Sequence, residues 1–361
     1  MRKSVFGLIA IAGLLAGPAF SQEATPSSAA VEVSAFELPW SDFASPEAGQ
    51  WFADHVLAPG PTFGPDIAKV REDYAVVDRS RIARLRALYD VSIERTEIGG
   101  VPVQIVTPAD RAPDPGRILI NLHGGGFFWG SDTGALVEAI PIAASSGMQV
   151  VTVDYRLAPE ARFPAASEDV ASVYASLLER FDAKSIGIYG CSAGSMLTAQ
   201  SVVWFQQHDL PSPGAIGLFY MGASMPGGDS VYLSQVASGG EPGNSIDWTA
   251  HPYFAGSDFS DPKLVPLASP EAIAAFPPTL LISGTRDGGL SSVLATHAAL
   301  NRAGVLADLH VWDGMWHSFM SDPEPQESRE AYRTVGAFFR KELGSDDART
   351  GSGALETGGK Q

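Results

Sequence analysis

The spacing of apolar residues changes character near residue 91. Before it, SRIARLRALYDV (80–91) places Ile82, Leu85, Leu88 and Tyr89 at helical intervals, which predicts an amphipathic helix packed against another element. From Val91 the period becomes that of strands. VSIERTEI and VPVQIVTP read as two strands meeting near Gly99-Gly100, a hairpin signal. RILINLHG and QVVTVDYRL are short apolar runs that fit buried strands, and SIGIYG, AIGLFYMG, PTLLISG and ADLHVWDG continue the strand series. Between them lie helical patterns: an Ala-rich stretch over roughly 134–147, then PAASEDVASVYASLLERF, SMLTAQSVVWFQQ and, last, ESREAYRTVGAFFRKEL. Strands alternating with helices of this length predict an α/β protein, with a doubly wound, mostly parallel eight-stranded sheet covered on both faces.

Two stretches break the alternation. One is the aromatic-rich segment 37–90; the other is 222–262, rich in Gly, Ser, Asp and aromatics. Both are expected to form a helical cap over the C-terminal edge of the sheet. That divides the core into 91–221 and 263–344. Residues 345–361 are Gly/Ser/Asp/Thr-rich and are expected to be a disordered tail.

A chain of 361 residues is long enough for a substantial core. Its beginning, MRKSVFGLIAIAGLLAGPAFS, has a basic start, an apolar centre and small residues near Ser21, the pattern of a cleavable signal peptide over 1–21. Its apolar stretch is shorter than the ~20 residues of a spanning helix. The expectation is a periplasmic or secreted bacterial protein with no stable membrane insertion after cleavage. The formal charge of −17 repels nucleic acid, which is excluded as a partner. Cys191 is the single cysteine, so no intrachain disulfide forms. The histidines are scattered without metal-ligand spacing, and no metal is expected.

The chemistry concentrates in three places. Gly190-Cys191-Ser192-Ala193-Gly194 is a G-x-S-x-G between a predicted strand and a predicted helix, the setting of a nucleophile elbow. A serine hydroxyl needs a base, and His317 lies in the loop after the last predicted strand. The base needs an acid to hold its tautomer, and Asp287 directly follows PTLLISGTR. Asp313 is the rival acid. Leu122-His123-Gly124-Gly125-Gly126 follows a third strand, and its glycines expose backbone N–H groups. Gly124 and Gly125, with the N–H of Ala193, are assigned to an oxyanion hole, and His123 to shaping the loop.

Three strings together resemble the hormone-sensitive lipase-like family of bacterial esterases, within the α/β-hydrolases: HGGGFFWG (123–130), DYRLAPEARFPAASEDV (154–170) and GCSAG with Asp287 and His317. The resemblance runs over roughly 90–343. It implies a cofactor-free carboxylesterase acting on small-molecule esters of short to medium acyl length, as a monomer or homodimer. It also implies structural roles for Tyr155, Arg156 and Glu160 behind the site. This chain departs from the family where Cys191 replaces an Asp before the nucleophile, and where Gly288-Gly289 replaces Pro-Leu after the acid. The first departure implies an altered loop network, the second a looser acid loop. An amidase or peptidase on the same fold, or a non-catalytic binding protein, are the alternatives.

Overall fold

A computed structural model describes residues 37–58, 60–61, 64–240 and 247–343; the expected leader and C-terminal tail lie outside the described residues. Two helices, α1 (Pro46–Trp51) and α2 (Ile67–Leu88), precede the hairpin of β1 (Val91–Ile98) and β2 (Val101–Pro108). Then come β3 (Ile118–Leu122), α3 (Thr133–Ser146), β4 (Gln149–Val153), α4 (Ala165–Leu177), β5 (Ile186–Cys191), α5 (Ala193–Gln207) and β6 (Ala215–Phe219). Helices α6 (Asp229–Ala237) and α7 (Pro270–Ala274) separate β6 from β7 (Thr279–Arg286). The chain continues through α8 (Leu290–Arg302), β8 (Ala307–Trp316) and α9 (Gln326–Glu342).

The strands form one eight-stranded sheet in the order β1-β2-β4-β3-β5-β6-β7-β8. Only the β1–β2 and β2–β4 pairings are antiparallel. The central strands are apolar on both sides because both sides are covered. In β5, Ile186 and Ile188 join the core beneath α4 and α5, with Val170 and Leu197. Tyr189 and Cys191 join the opposite core, with Leu136 of α3 and Tyr332 and Phe339 of α9. The α/β-hydrolase architecture expected from the alternation of periods is therefore the one observed.

The differences lie in the helices. α2 starts at Ile67, well before the predicted segment, and Asp66 caps it by accepting the Lys69 N–H. Of the apolar stripe predicted for it, Leu85 is fully buried but Leu88 is 59% exposed. Charge supplies much of the docking instead. Arg81 Nε and Arg84 Nη2 donate to the same oxygen of buried Asp322, at 3.2 and 2.7 Å. α8 occupies a stretch to which the apolar pattern assigns no element. Its inward face carries Ser292 and Thr296 beside Val293 and Leu300. The two hydroxyls accept the N–H groups of Gly222 and Ala223, so polar side chains serve the packed face and obscure the helical period.

Arg286, at the C-terminal end of β7, joins the segments flanking the core. Its Nη2 donates to Pro39 O at 2.8 Å, and Nη1 lies 3.4 Å from Ala237 O at the end of α6. Its guanidinium stacks over the rings of Trp40 and Phe52, at 4.9 and 5.0 Å from their centroids. Both 37–90 and 222–262 thus meet the end of the strand that leads into Asp287. Replacing Arg286 by Ala removes charged hydrogen bonds and aromatic stacking at a nearly buried position. We expect Arg286→Ala to lose about 2–3 kcal/mol of unfolding free energy, read as a lower urea midpoint at unchanged slope.

Candidate active site

β5 runs directly into Ser192, whose backbone sits at φ 54°, ψ −117°, outside the regions a non-glycine residue prefers. Such a conformation costs on the order of 1–3 kcal/mol and persists only where its surroundings enforce it. Here the Ser192 N–H is bonded to Phe219 O at 2.8 Å, and α5 begins at the next residue. The first turn of α5 presses against β3: a Cβ on Gly194 would stand 1.7 Å from Leu122 O, so no other residue fits.

The three residues expected to work together are brought together. Ser192 Oγ lies 2.9 Å from His317 Nε2, and His317 Nδ1 lies 2.6 Å from Asp287 Oδ1. His317 follows β8, on a loop held where Tyr220 OH accepts the Met320 N–H at 2.9 Å. Its side chain keeps 41% of its surface accessible, so the ring can be approached from solvent. Partial loss of water lowers its basicity, but the adjoining Asp287 carboxylate outweighs that, and the His317 pKa is raised above the usual histidine value.

Asp287 is wholly buried. Its Oδ2 accepts from Ser283 Oγ at 2.6 Å, and its Oδ1 also accepts the Gly289 N–H at 2.8 Å. The Gly288-Gly289 pair therefore does not loosen this turn as the sequence implied. A Cβ on Gly289 would stand 1.6 Å from Tyr220 O, so glycine is there for close packing, and its N–H helps hold the carboxylate. Asp313 is turned elsewhere: it accepts from Ser41 Oγ and Thr285 Oγ1.

The glycine-rich loop is braced from behind. His123 is fully buried and stacks on Tyr155 at 4.3 Å. Burial pushes its pKa down to about 4, so the ring is neutral at pH 7; its Nδ1 lies 2.7 Å from Gly124 O and donates to it. Tyr155 OH donates to His123 O at 2.6 Å. Arg71 forks onto Glu160 and donates to Phe128 O and Ala158 O. Arg156 binds Asp169 and Glu168.

One assignment changes. The Gly124 N–H donates to Glu138 Oε1 at 2.8 Å, so it is spent inside the protein and cannot serve an oxyanion. Gly125 and Ala193 keep free N–H groups, as does Gly126 among the described residues. Glu138, and Asn121 whose Nδ2 donates to Glu138 Oε2 at 2.8 Å, escape the motif-based reading. A signal exists: Glu138 is the sole ionisable residue of α3, in the otherwise apolar and small sequence TGALVEAIPIAASS. A cavity of about 590 Å³ opens on the other side of this loop, lined by Arg71, Tyr74, Trp129, Tyr155 and Glu160. Ser192, Asp287 and His317 do not line it, so it is separate from the site of the chemistry. No group of three or more His, Cys, Asp or Glu among the described residues is placed to hold a metal ion.

Comparison with known proteins shows the family to which the chain belongs. A family profile described as alpha/beta hydrolase fold matches residues 119–321. The chain is 31% identical over 268 residues to LipR of Mycobacterium tuberculosis, covering 72% of this chain and 84% of that one. It is 29% identical over 249 residues to the ethyl acetate hydrolase of Pseudomonas putida, covering 64% and 75%. Among solved structures, esterase E25 superposes with a TM-score of 0.76 at 30% identity, covering 87% of this chain and 99% of that one. An esterase from the bacterial hormone-sensitive lipase family superposes with a TM-score of 0.72 at 28% identity, covering 83% and 99%. The chain belongs to the α/β-hydrolase family and closely matches the bacterial hormone-sensitive-lipase-like esterases within it.

Proposed function

We propose that this protein is a carboxylesterase for esters of short acyl chains, acetyl esters first, with Ser192 as nucleophile, His317 as general base and acid, and Asp287 as the residue that orients and supports His317. The observation that carries the proposal is the unbroken hydrogen-bonded line from Ser192 Oγ through the imidazole to Asp287. The relatives support the acyl preference, since one is an ethyl acetate hydrolase and another, from Streptomyces hygroscopicus, an acetyl-hydrolase. The leader-like pattern of residues 1–21 supports export as a further part of this proposal.

The reaction has two halves. Ser192 Oγ attacks the ester carbonyl carbon as His317 Nε2 takes its proton. The carbonyl oxygen gains negative charge and is held by the N–H groups of Ala193, Gly125 and Gly126, the first at the N-terminus of α5, where the backbone field favours an anion. His317 returns the proton to the departing alkoxide, and the alcohol leaves. A water then gives its proton to His317 and attacks the acyl carbon. The acid departs as Ser192 regains its proton. Asp287 makes each step cheaper by stabilising the imidazolium that forms twice.

Three outcomes are expected. On a p-nitrophenyl ester series, rates peak between acetate and hexanoate and fall roughly 10⁴–10⁶-fold in Ser192→Ala; a peak at dodecanoate or longer would overturn the short-chain preference, and wild-type rates equal to the variant's would overturn the esterase reading. Asp287→Asn reduces kcat by roughly 10⁴-fold, because an amide favours the wrong imidazole tautomer. The free enzyme must have His317 neutral, and its pKa is raised, so kcat/KM falls as pH drops through a value above the ordinary ~6.5 of histidine. An acid limb below that value in a pH–rate profile would contradict the Asp287–His317 coupling.

A further inference from the structure

Glu138 has no part in the proton transfers, yet it bonds to the glycine loop, to the end of β3 and to the residue before the nucleophile. It stands in α3, among side chains that fill an apolar core. Its Oε1 accepts the N–H of Gly124 in the glycine loop, and its Oε2 accepts from Asn121 at the end of β3. Its carboxyl is also hydrogen-bonded to the thiol of Cys191, which immediately precedes the nucleophile. It lines a cavity of about 10 Å³ with Cys191, Tyr189, Tyr220 and Tyr332, room for one water at most.

The geometry makes Gly124 a fixed point. Its N–H is held by Glu138 and its carbonyl by His123 Nδ1 at 2.7 Å. That carbonyl shares one planar peptide unit with the N–H of Gly125, so anchoring the first aims the second in the opposite direction. We propose that Glu138 is the positioning residue of the oxyanion hole: one carboxyl group registers the glycine loop, β3 and the serine elbow against each other. This rests on the esterase reading of the same site.

A charge dependence follows. The titratable groups that face the carboxyl are Cys191 and Tyr189 from β5, Tyr155 after β4, Asp78 from α2, Tyr220 after β6 and Tyr332 from α9. All are acids, neutral or negative, so none of them compensates a carboxylate. Removal from water pushes the Glu138 pKa up to about 8, against the hydrogen bonds from Asn121, Gly124 and Cys191 that pull it down. Below that pH the residue is a neutral acid. Above it a negative charge lies one residue from the proposed Gly125 donor and opposes the charge building on the substrate oxygen. The folded protein also holds this proton more tightly than the unfolded chain does. Its contribution to stability is therefore full below about 4.5 and is lost as pH rises to about 8.

The test compares wild type with Glu138→Leu and Glu138→Gln on p-nitrophenyl acetate, with rates normalised to titrated active serine. Leucine cannot accept the Gly124 N–H, and kcat is expected to drop roughly 10–100-fold with KM within about twofold. Glutamine keeps the acceptor, and the buried Asn121 Oδ1, which has no partner, can receive its N–H once the Asn121 amide turns over. Glutamine is therefore expected to rescue most of the leucine loss at pH 7. Glutamine should also lack two wild-type properties: the fall in kcat above about pH 8 and the loss of thermal stability between about pH 4.5 and 8. Should the leucine variant not fold, the glutamine profiles decide alone. An active wild type whose kcat–pH and stability–pH curves match those of Glu138→Gln would overturn the proposal. So would a Glu138→Leu variant that loses only stability, with unchanged kcat per active serine. A wild type inactive on every ester would instead fail at the esterase reading and take this proposal with it.

Discussion

The approach of the first turn of α5 to the end of β3 is the constraint on which the site depends. With Leu122 O where a Gly194 side chain would begin, the chain must leave β5 through a turn so sharp that Ser192 takes a backbone conformation it would not otherwise adopt. The strain is local, but the contacts that enforce it are spread widely: strand pairing on both sides of β5, the bond from Ser192 N–H to Phe219 O, and the packing of α5 on the sheet. In return the hydroxyl stands at the N-terminus of α5, where the backbone field favours negative charge.

The acid side is built on a different principle. Three of the four residues from Arg286 to Gly289 make separate contacts. Arg286 clasps the flanking segments, Asp287 meets His317, and Gly289 both donates to the carboxylate and lets the turn pass beneath Tyr220. Tyr220 in turn supports the loop that carries His317. Asp287 and His317 are thus both held against a shared neighbour, Tyr220.

Much of this could be read from the sequence, and the limits have physical causes. The central strands announce themselves because each is short, apolar and bounded by turn residues, and that part of the sheet is covered on both faces. Ser192 is legible because only a narrow set of residues tolerates its turn. α8 is not, because its packed face is lined with hydroxyls whose partners are backbone groups far away in sequence. The early half of α2 is hidden because Val70 is its one buried apolar side chain and it docks through Arg71, which bonds Glu160 and the carbonyls of Phe128 and Ala158. That the Gly124 N–H is already engaged is hidden for a similar reason. A run of glycines displays several N–H groups, and which are already taken depends on Glu138, outside the motif.

Cys191 adds a consequence of another kind. Its thiol is buried, and loss of water together with the nearby Glu138 carboxyl raises its pKa well above the ordinary cysteine value. In the native state it is therefore sheltered both sterically and by the scarcity of thiolate. As the sole cysteine in the chain, it supplies an intrinsic chemical clock. Alkylation at that sulfur can proceed only while the sheet's central strand is open, so the labelling rate reports the frequency with which the heart of the protein comes apart, without any engineered probe.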